Sequence, residues 1–276
     1  MHQVRQPAVA GAFYHSEKKT LANDVDTLLR AIKLNASEIK HSPKAIIVPH
    51  AGYIYSGPVA ASAYARLATA HDTIKRVILL GPVHRVPVRG LALPGVTAFA
   101  TPLGEVEIDY PSVTAIANLP QVVVSSAAHA QEHSLEVQLP FLQSVLDNFT
   151  LLPLAVGDAT AEEVAEVLEV LWGGPETLIV ISSDLSHFLP YQTAQMVDSE
   201  TVQNILNLRG KLNHQQACGG TPVNGLILAA RRHGLQPHML DLRNSGDTAG
   251  DKNRVVGYAA VAFNEVLNQE DSDGIK

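Results

Sequence analysis

Residues Ala45 to Pro58 read AIIVPHAGYIYSGP. Ala45 to Val48 is an unbroken apolar run rich in β-branched residues, the pattern of a strand buried on both faces. The second half, with its glycines and Pro58, reads as a turn that leads into a helix. His50 is the first polar side chain after the apolar run, fenced by Pro49 and Gly52. The layout recurs: VILLGPVH ends at His84, and LIVISSDLSH ends at His187. Each time an apolar run stops, a short turn follows and a histidine appears. In open α/β sheets, ligands bind beyond the carboxyl ends of the strands. Histidines delivered to that edge converge if their strands are neighbours. Neutral imidazole is the commonest metal ligand, so a metal site is the first expectation and a metal-free acid–base site the second.

Working outward, Leu21–Leu34 has helical spacing and Val59–Ala70 reads as an alanine-rich helix. Arg76–Gly81 is a second strand, with strand-like pieces near Gly90–Leu93 and Glu105–Ile108. Gln121–Ser126 is a strand. Ser134–Leu146 is an amphipathic helix in which Pro140 marks a kink or a first turn. A strand from Thr150, a helix over Ala161–Trp172 and a strand over Thr177–Asp184 follow. Helices near Thr193–Leu208 and Val223–His233 precede two closing strand-like segments, expected to pair antiparallel or lie at an edge. Apolar strands alternating with helices predict an α/β fold: a central, largely parallel or mixed sheet flanked by helices. No break in composition divides the chain, so a single domain over 1–276 is expected.

The chain has 276 residues, is 46% hydrophobic and carries a net charge of −7. That suffices for a sizeable core. Without a basic block, nucleic acid is not an expected partner. No apolar run approaches the roughly 20 residues of a membrane helix, and the N-terminus lacks a signal-peptide layout. A cytoplasmic location and no membrane partner are therefore expected. Walker-A, GxSxG and GxGxxG motifs are missing, which disfavours the common nucleotide, serine-hydrolase and dinucleotide chemistries.

Cys218 is the one cysteine. It lies in ACGGTPVNGLILAARR, where Thr221 fits an N-cap and Pro222 the first helical position. A cysteine just before a helix N-terminus is expected to favour thiolate, a metal ligand. The alternative is an inert small hydrophobe. In EHSLEVQLP, His133 and Glu136 would share a helix face and line a pocket, or Glu132 and His133 would simply begin the helix. The loop from Asn244 to Arg254 reads as a turn rather than a calcium loop. Asp109 with Tyr110, and Tyr53 with Tyr55, are further pocket candidates.

Taken in order, RQPAVAGAFY, VPHAGYIYSGPVAA, GPVH, TPLGEVEID, EHSLEVQLPFLQ, SSDLSHF, CGGTPV and NRVVGYAAVAF resemble the Memo family. That family is similar in fold to the class III extradiol dioxygenases, which are non-haem iron enzymes. The resemblance implies metal ligation by His50, His84 and Cys218. It implies an acid–base role for His187 and a place for His133 in the pocket wall; in an enzyme, Asp184 would orient His187. Iron is the first metal implied, with copper and zinc as alternatives. AMMECR1-type and radical-SAM proteins are implied partners, beside a small-molecule or peptide ligand. A thiolate in place of the oxygenases' carboxylate is a departure that favours softer metals, unless Glu132, Glu136 or Asp184 supplies a carboxylate. The expected function is a metal-dependent oxidoreductase of dioxygenase-like fold. Its alternatives are a zinc-type hydrolase and a non-catalytic module binding a metal or a phosphopeptide, with Arg85, Arg231 and Arg232 as anion contacts.

Overall fold

The computed structural model describes residues 3–34 and 42–266. In chain order the strands are β1 (Val4–Arg5), β2 (Ala45–Val48), β3 (Arg76–Pro82), β4 (Leu91–Leu93), β5 (Ala98–Thr101) and β6 (Gly104–Glu107). They continue with β7 (Val122–Val124), β8 (Thr150–Val156), β9 (Thr177–Ser182), β10 (His187–Leu189), β11 (Gln236–Asn244) and β12 (Val255–Asn264). The helices are α1 (Lys18–Arg30), α2 (Tyr53–Tyr64), α3 (Tyr110–Ile116), α4 (Ser126–Ala130), α5 (Leu139–Val145), α6 (Ala161–Leu171), α7 (Tyr191–Leu206) and α8 (Gly220–Arg232).

Among the described residues, nine strands form the main sheet. Its centre is the parallel set β2-β9-β3-β8. β12 pairs antiparallel to β2, and β11 antiparallel to β12, so the last two long strands close one side as expected. Alternation along the strands divides the apolar side chains between two cores. Ile46, Val48, Val77, Leu79 and Val180 pack with α1, α2 and α5 on one face. Ile47, Ile78, Leu80, Ile179 and Ile181 pack with α6, α7 and α8 on the other. A sheet covered on both faces explains why these strands read as continuous apolar runs. Among the described residues no helix is long and apolar enough to cross a membrane.

Helices α3 and α4 and strands β1 and β10 are additions to the sequence expectation, and three further segments differ from it. Helix α2 starts at Tyr53, before Pro58, and its continuation over Ala65–Ala70 is a 3-10 helix. Pro58 withholds its hydrogen bond from the carbonyl of Ile54, a residue 69% exposed, where water can serve instead. The expected helix over Ser134–Leu146 is a 3-10 turn at Glu136–Gln138 followed by α5, with Pro140 in the first turn. Finally, β5 and β6 form a hairpin in a separate three-stranded sheet with β1; sequence reading found only β6.

His129 ties this small sheet to the main one. Its Nε2 donates to the carbonyl of Ala92 on β4 at 2.7 Å, and its ring meets the edge of Phe99 on β5. Arg5 on β1 donates Nε–H to the His129 carbonyl at 3.1 Å. Burial, with the Arg5 charge adding to it, outweighs the Ala92 carbonyl and lowers the His129 pKa to about 4. The unfolded chain binds this proton near the ordinary 6.5. His129 therefore opposes folding progressively as pH falls from about 6.5 to about 4, by up to roughly 3 kcal/mol. Urea denaturation at pH 7 and pH 4.5 should show this loss, and His129→Gln should reduce the difference between the two.

Candidate metal centre

The order β2-β9-β3 decides where the histidines meet. His50 follows β2 and His84 follows β3, so they flank the carboxyl end of β9 from its two sides. Their ring centroids are 5.2 Å apart. His133 joins them from the loop before α5, 5.4 Å from His50 and 4.7 Å from His84. One nitrogen from each of the three rings lies within 4.8 Å of the others. Gly81 permits this approach: a Cβ there would come within 2.9 Å of Ser134 Oγ.

The hydrogen bonds set which nitrogen each ring presents. Ser182 Oγ, at the end of β9, donates to the Ser134 carbonyl at 2.5 Å. Its only proton is then spent, so it accepts from Gln138 Nε2 and from His50 Nδ1, each at 2.8 Å. His50 Nδ1 thus carries a proton and Nε2 a lone pair. His84 Nδ1 lies 2.8 Å from Glu132 Oε1, while Glu132 Oε2 accepts the His84 backbone N–H at 2.5 Å. Glu132 also accepts the backbone N–H groups of His133 and Ser134, each at 2.9 Å. Burial pushes its carboxyl up, but the His84 ring and these N–H groups outweigh burial and hold it at about 2. The ionised carboxylate keeps the proton on His84 Nδ1 and leaves Nε2 open.

Burial holds His50 and His133 neutral. His50 lies well below its usual range because it is buried beside His133, His84 and His187. Burial lowers His133 to about 4, against the pull of Glu132. Neutral rings with oriented lone pairs, backed by a carboxylate and a hydroxyl, are what an imidazole-bound metal requires. The donor set fits a metal ion.

Cys218 Sγ lies 3.2 Å from His50 Nε2. The loop carrying it docks on the end of β9, with Gly219 N donating to Ser183 Oγ at 2.9 Å and Cys218 N to the Asp184 carbonyl at 3.2 Å. A Cβ on Gly219 would meet Ser183 Cβ at 2.7 Å. This docking starts α8 at Gly220, so Thr221 is not its N-cap. Without a metal, burial, with Asp184 adding to it, pushes the thiol up to about 12, opposite to the effect expected of the helix start.

Asp184 Oδ1 accepts the His50 backbone N–H at 2.7 Å, and Oδ2 is 4.0 Å from His50 Nε2. Burial raises its carboxyl to about 7, against the His50 N–H and His84. Asp184 thus attends His50 rather than His187, whose Nδ1 pairs with the Leu185 carbonyl at 2.9 Å. The turn bearing His187 is pinned to β12 by Leu185 N–Gly257 O and Gly257 N–Ser186 O bonds of 2.8 and 2.9 Å. Phe188 takes a left-handed φ of 59°, a strained conformation for an aromatic residue. His187 lines a cleft of about 880 Å³ together with His84 and Cys218.

The profile of the family described as Memo-like protein matches residues 5–262. The chain belongs to the Memo-like family. It is 36% identical over 273 residues to a MEMO1 family protein of Aquifex aeolicus, covering 95% of this chain and 99% of that one. A Methanosarcina mazei MEMO1 family protein is 35% identical over 274 residues, covering 94% and 98%. One from Sulfurisphaera tokodaii is 34% identical over 287 residues, covering 95% and 100%. A crystal structure of an uncharacterized Escherichia coli K12 protein has a TM-score of 0.49 and 12% identity, covering 78% of this chain and 98% of that one.

Several other sequence candidates of this Memo-like chain lie elsewhere. Glu136 does not share a helix face with His133. It is fully buried against Arg5, and it accepts from Tyr14 Oη at 2.6 Å and from the backbone of Ala8 and Val9 at 2.8 and 3.0 Å. Asp109 caps α3 and pairs with Arg76. Tyr53 donates to the Val137 carbonyl inside the core at 2.7 Å, and Asn244 with Asp247 closes a 3-10 turn. Arg231 and Arg232 end α8, about 18 Å along the helix from Cys218. Sequence reading missed Ser182 and Gln138, whose roles depend on contacts across the fold.

Glu136 nevertheless acts on the centre. Arg5, bound to it, also donates to the Glu132 carbonyl at 2.6 Å, and Phe13 packs on His133 at 4.8 Å between centroids. The segment from Arg5 to Tyr14 therefore clamps the stretch supplying Glu132 and His133. Arg5→Ala leaves a buried carboxylate unpaired and should cost about 3–5 kcal/mol in urea denaturation. A loss under about 1 kcal/mol would mean that the pair is not the clamp.

Proposed function

We propose that this Memo-like protein is a non-haem metal-dependent oxidoreductase acting on a small organic molecule. The carrying observation is the cluster of His50, His84 and His133, with two Nε2 lone pairs oriented by Ser182 and Glu132. In this reading His50 and His84 hold the ion, with Cys218 as the next donor beside His50 and His133 as a further nitrogen within reach. Iron is the metal proposed, since imidazoles with open positions suit it; the thiol extends the range to copper and zinc. When bound, the metal would supply redox chemistry and Lewis acidity.

The chain's own residues bind, orient and move protons. Glu132 and Ser182 fix the rings. His187 holds its Nδ1 proton on the Leu185 carbonyl, which leaves Nε2 as the basic atom, and burial keeps the ring neutral against that carbonyl's pull. Within the cleft this atom takes a proton from the substrate and returns it.

Metal content of untagged protein, purified without oxygen, tests the reading. Wild type should carry close to one metal per chain and His84→Ala should lose it; full occupancy in His84→Ala would overturn the ligand set. Glu132→Gln should keep the fold and weaken metal affinity by about 10–100-fold in a chelator competition. Turnover that persists without O₂ on ester or amide substrates would favour the zinc-hydrolase alternative.

A further inference from the structure

One buried carboxylate lies outside the centre described above. Asp198, on α7, is 2% exposed and shares a helix face with the core residues Ala194, Thr201 and Val202. The adjoining stripe of the same helix, with Thr193, Val197 and Glu200, lines the cleft that holds His187. Asp198 Oδ1 accepts the backbone N–H of Ser186 at 3.0 Å. The carboxylate also sits close against Gly257 on β12, where a Cβ would come within 2.0 Å of Oδ2 and 2.5 Å of Cγ. A larger residue at 257 would push Asp198 off Ser186.

The N–H that Asp198 accepts belongs to the peptide between Leu185 and Ser186. The carbonyl of that same peptide, Leu185 O, holds His187 Nδ1 at 2.9 Å. A peptide unit is planar, so fixing the direction of its N–H fixes its C=O as well. A carboxylate on the N–H also polarises the amide and strengthens its carbonyl as an acceptor. We propose that Asp198 is the positioning residue of His187 and acts through the Leu185–Ser186 peptide, from carboxylate to N–H and from carbonyl to imidazole. Asp198 thus does at one remove for His187 what Glu132 does directly for His84. It keeps the proton on Nδ1 and leaves Nε2 as the basic atom. The inference rests on the proposed proton-transfer role of His187 only in the use made of that atom.

Two further observations support it. Burial raises the Asp198 carboxyl to about 6, against the Ser186 N–H, so the group is ionised at neutral pH. The strained φ of 59° at Phe188 persists only where the surrounding backbone is over-determined. Asp198 on Ser186, with Gly257 bonded to both Leu185 and Ser186, supplies that determination just before Phe188.

The test is nitrogen NMR of the full chain, isotope-labelled and treated with chelator, with His187→Gln identifying the His187 signals. Wild type should show His187 as a single Nδ1–H tautomer at neutral pH. Asp198→Ala should shift it toward the Nε2–H form and speed amide exchange at Ser186 by at least about tenfold. Asp198→Asn keeps an acceptor for Ser186 and should keep both wild-type signatures. Asp198→Val repeats the removal with less volume lost, should the alanine variant not fold. Unchanged tautomer and exchange in Asp198→Ala, or Asp198→Asn as disturbed as Asp198→Ala, would overturn the proposal. A wild-type Ser186 amide that exchanges as fast as an exposed loop amide would overturn it with no variant needed. Metal content is counted on untreated samples and should be the same in wild type and Asp198→Ala. A metal-bearing protein whose His187 ignores Asp198 defeats this inference alone. The expected His187 behaviour in a protein that refuses iron, copper and zinc defeats the metal reading alone.

Discussion

A hydroxyl group has one proton to give, and Ser182 gives its proton to the Ser134 carbonyl. Everything else at the centre follows from that constraint. Having no proton left, Ser182 must accept from His50, which fixes the His50 tautomer and turns Nε2 toward Cys218. The same bond joins the end of β9 to the loop that carries His133. Gln138 completes the junction by donating to both Ser182 and the Pro49 carbonyl, at 2.8 and 2.9 Å. One side chain at the end of the central strand thus registers the β2 turn against the loop before α5. Glu132 performs the corresponding task for His84 on the other side.

Such a centre costs stability, and the surrounding fold offsets the cost. His50 and His133 are held neutral by burial, and a thiol sits beside a carboxylate whose charged form burial disfavours. Two fully packed faces of the sheet supply the rigid frame. The segment from Arg5 to Tyr14 supplies the local brace, with a buried ion pair whose carboxylate is otherwise satisfied by Tyr14, Ala8 and Val9. The brace acts on the backbone of residues 132–136, not on the ring nitrogens themselves. The rings remain available on the side that faces the cleft.

The strand-turn-histidine layout made His50, His84 and His187 legible, because a strand's carboxyl end is a local property of sequence. Strand order is not local. That β9 lies between β2 and β3 follows from hydrogen bonds between segments more than ninety residues apart, and this order alone makes His50 and His84 neighbours. His133 follows no strand, and its stretch carried a helical pattern that misled. The chain there turns through a short 3-10 segment before α5 begins, which sends Glu136 toward Arg5 and leaves His133 facing the other histidines. Cys218 does lie just before a helix, but its metal-free thiol is shifted away from thiolate. Burial beside Asp184 outweighs the hydrogen bonds from Asp184 N–H, Ser183 and Gly219 N–H, and burial is invisible in a sequence window.

The central claim is that the ends of β2 and β3 deliver two oriented imidazoles to one metal ion. X-ray absorption on the iron-loaded protein, compared with His50→Ala, tests it most directly. The account predicts imidazole-ring scattering from the wild-type iron that declines in the variant. A wild-type spectrum of oxygen ligands only, unchanged by His50→Ala, would contradict it.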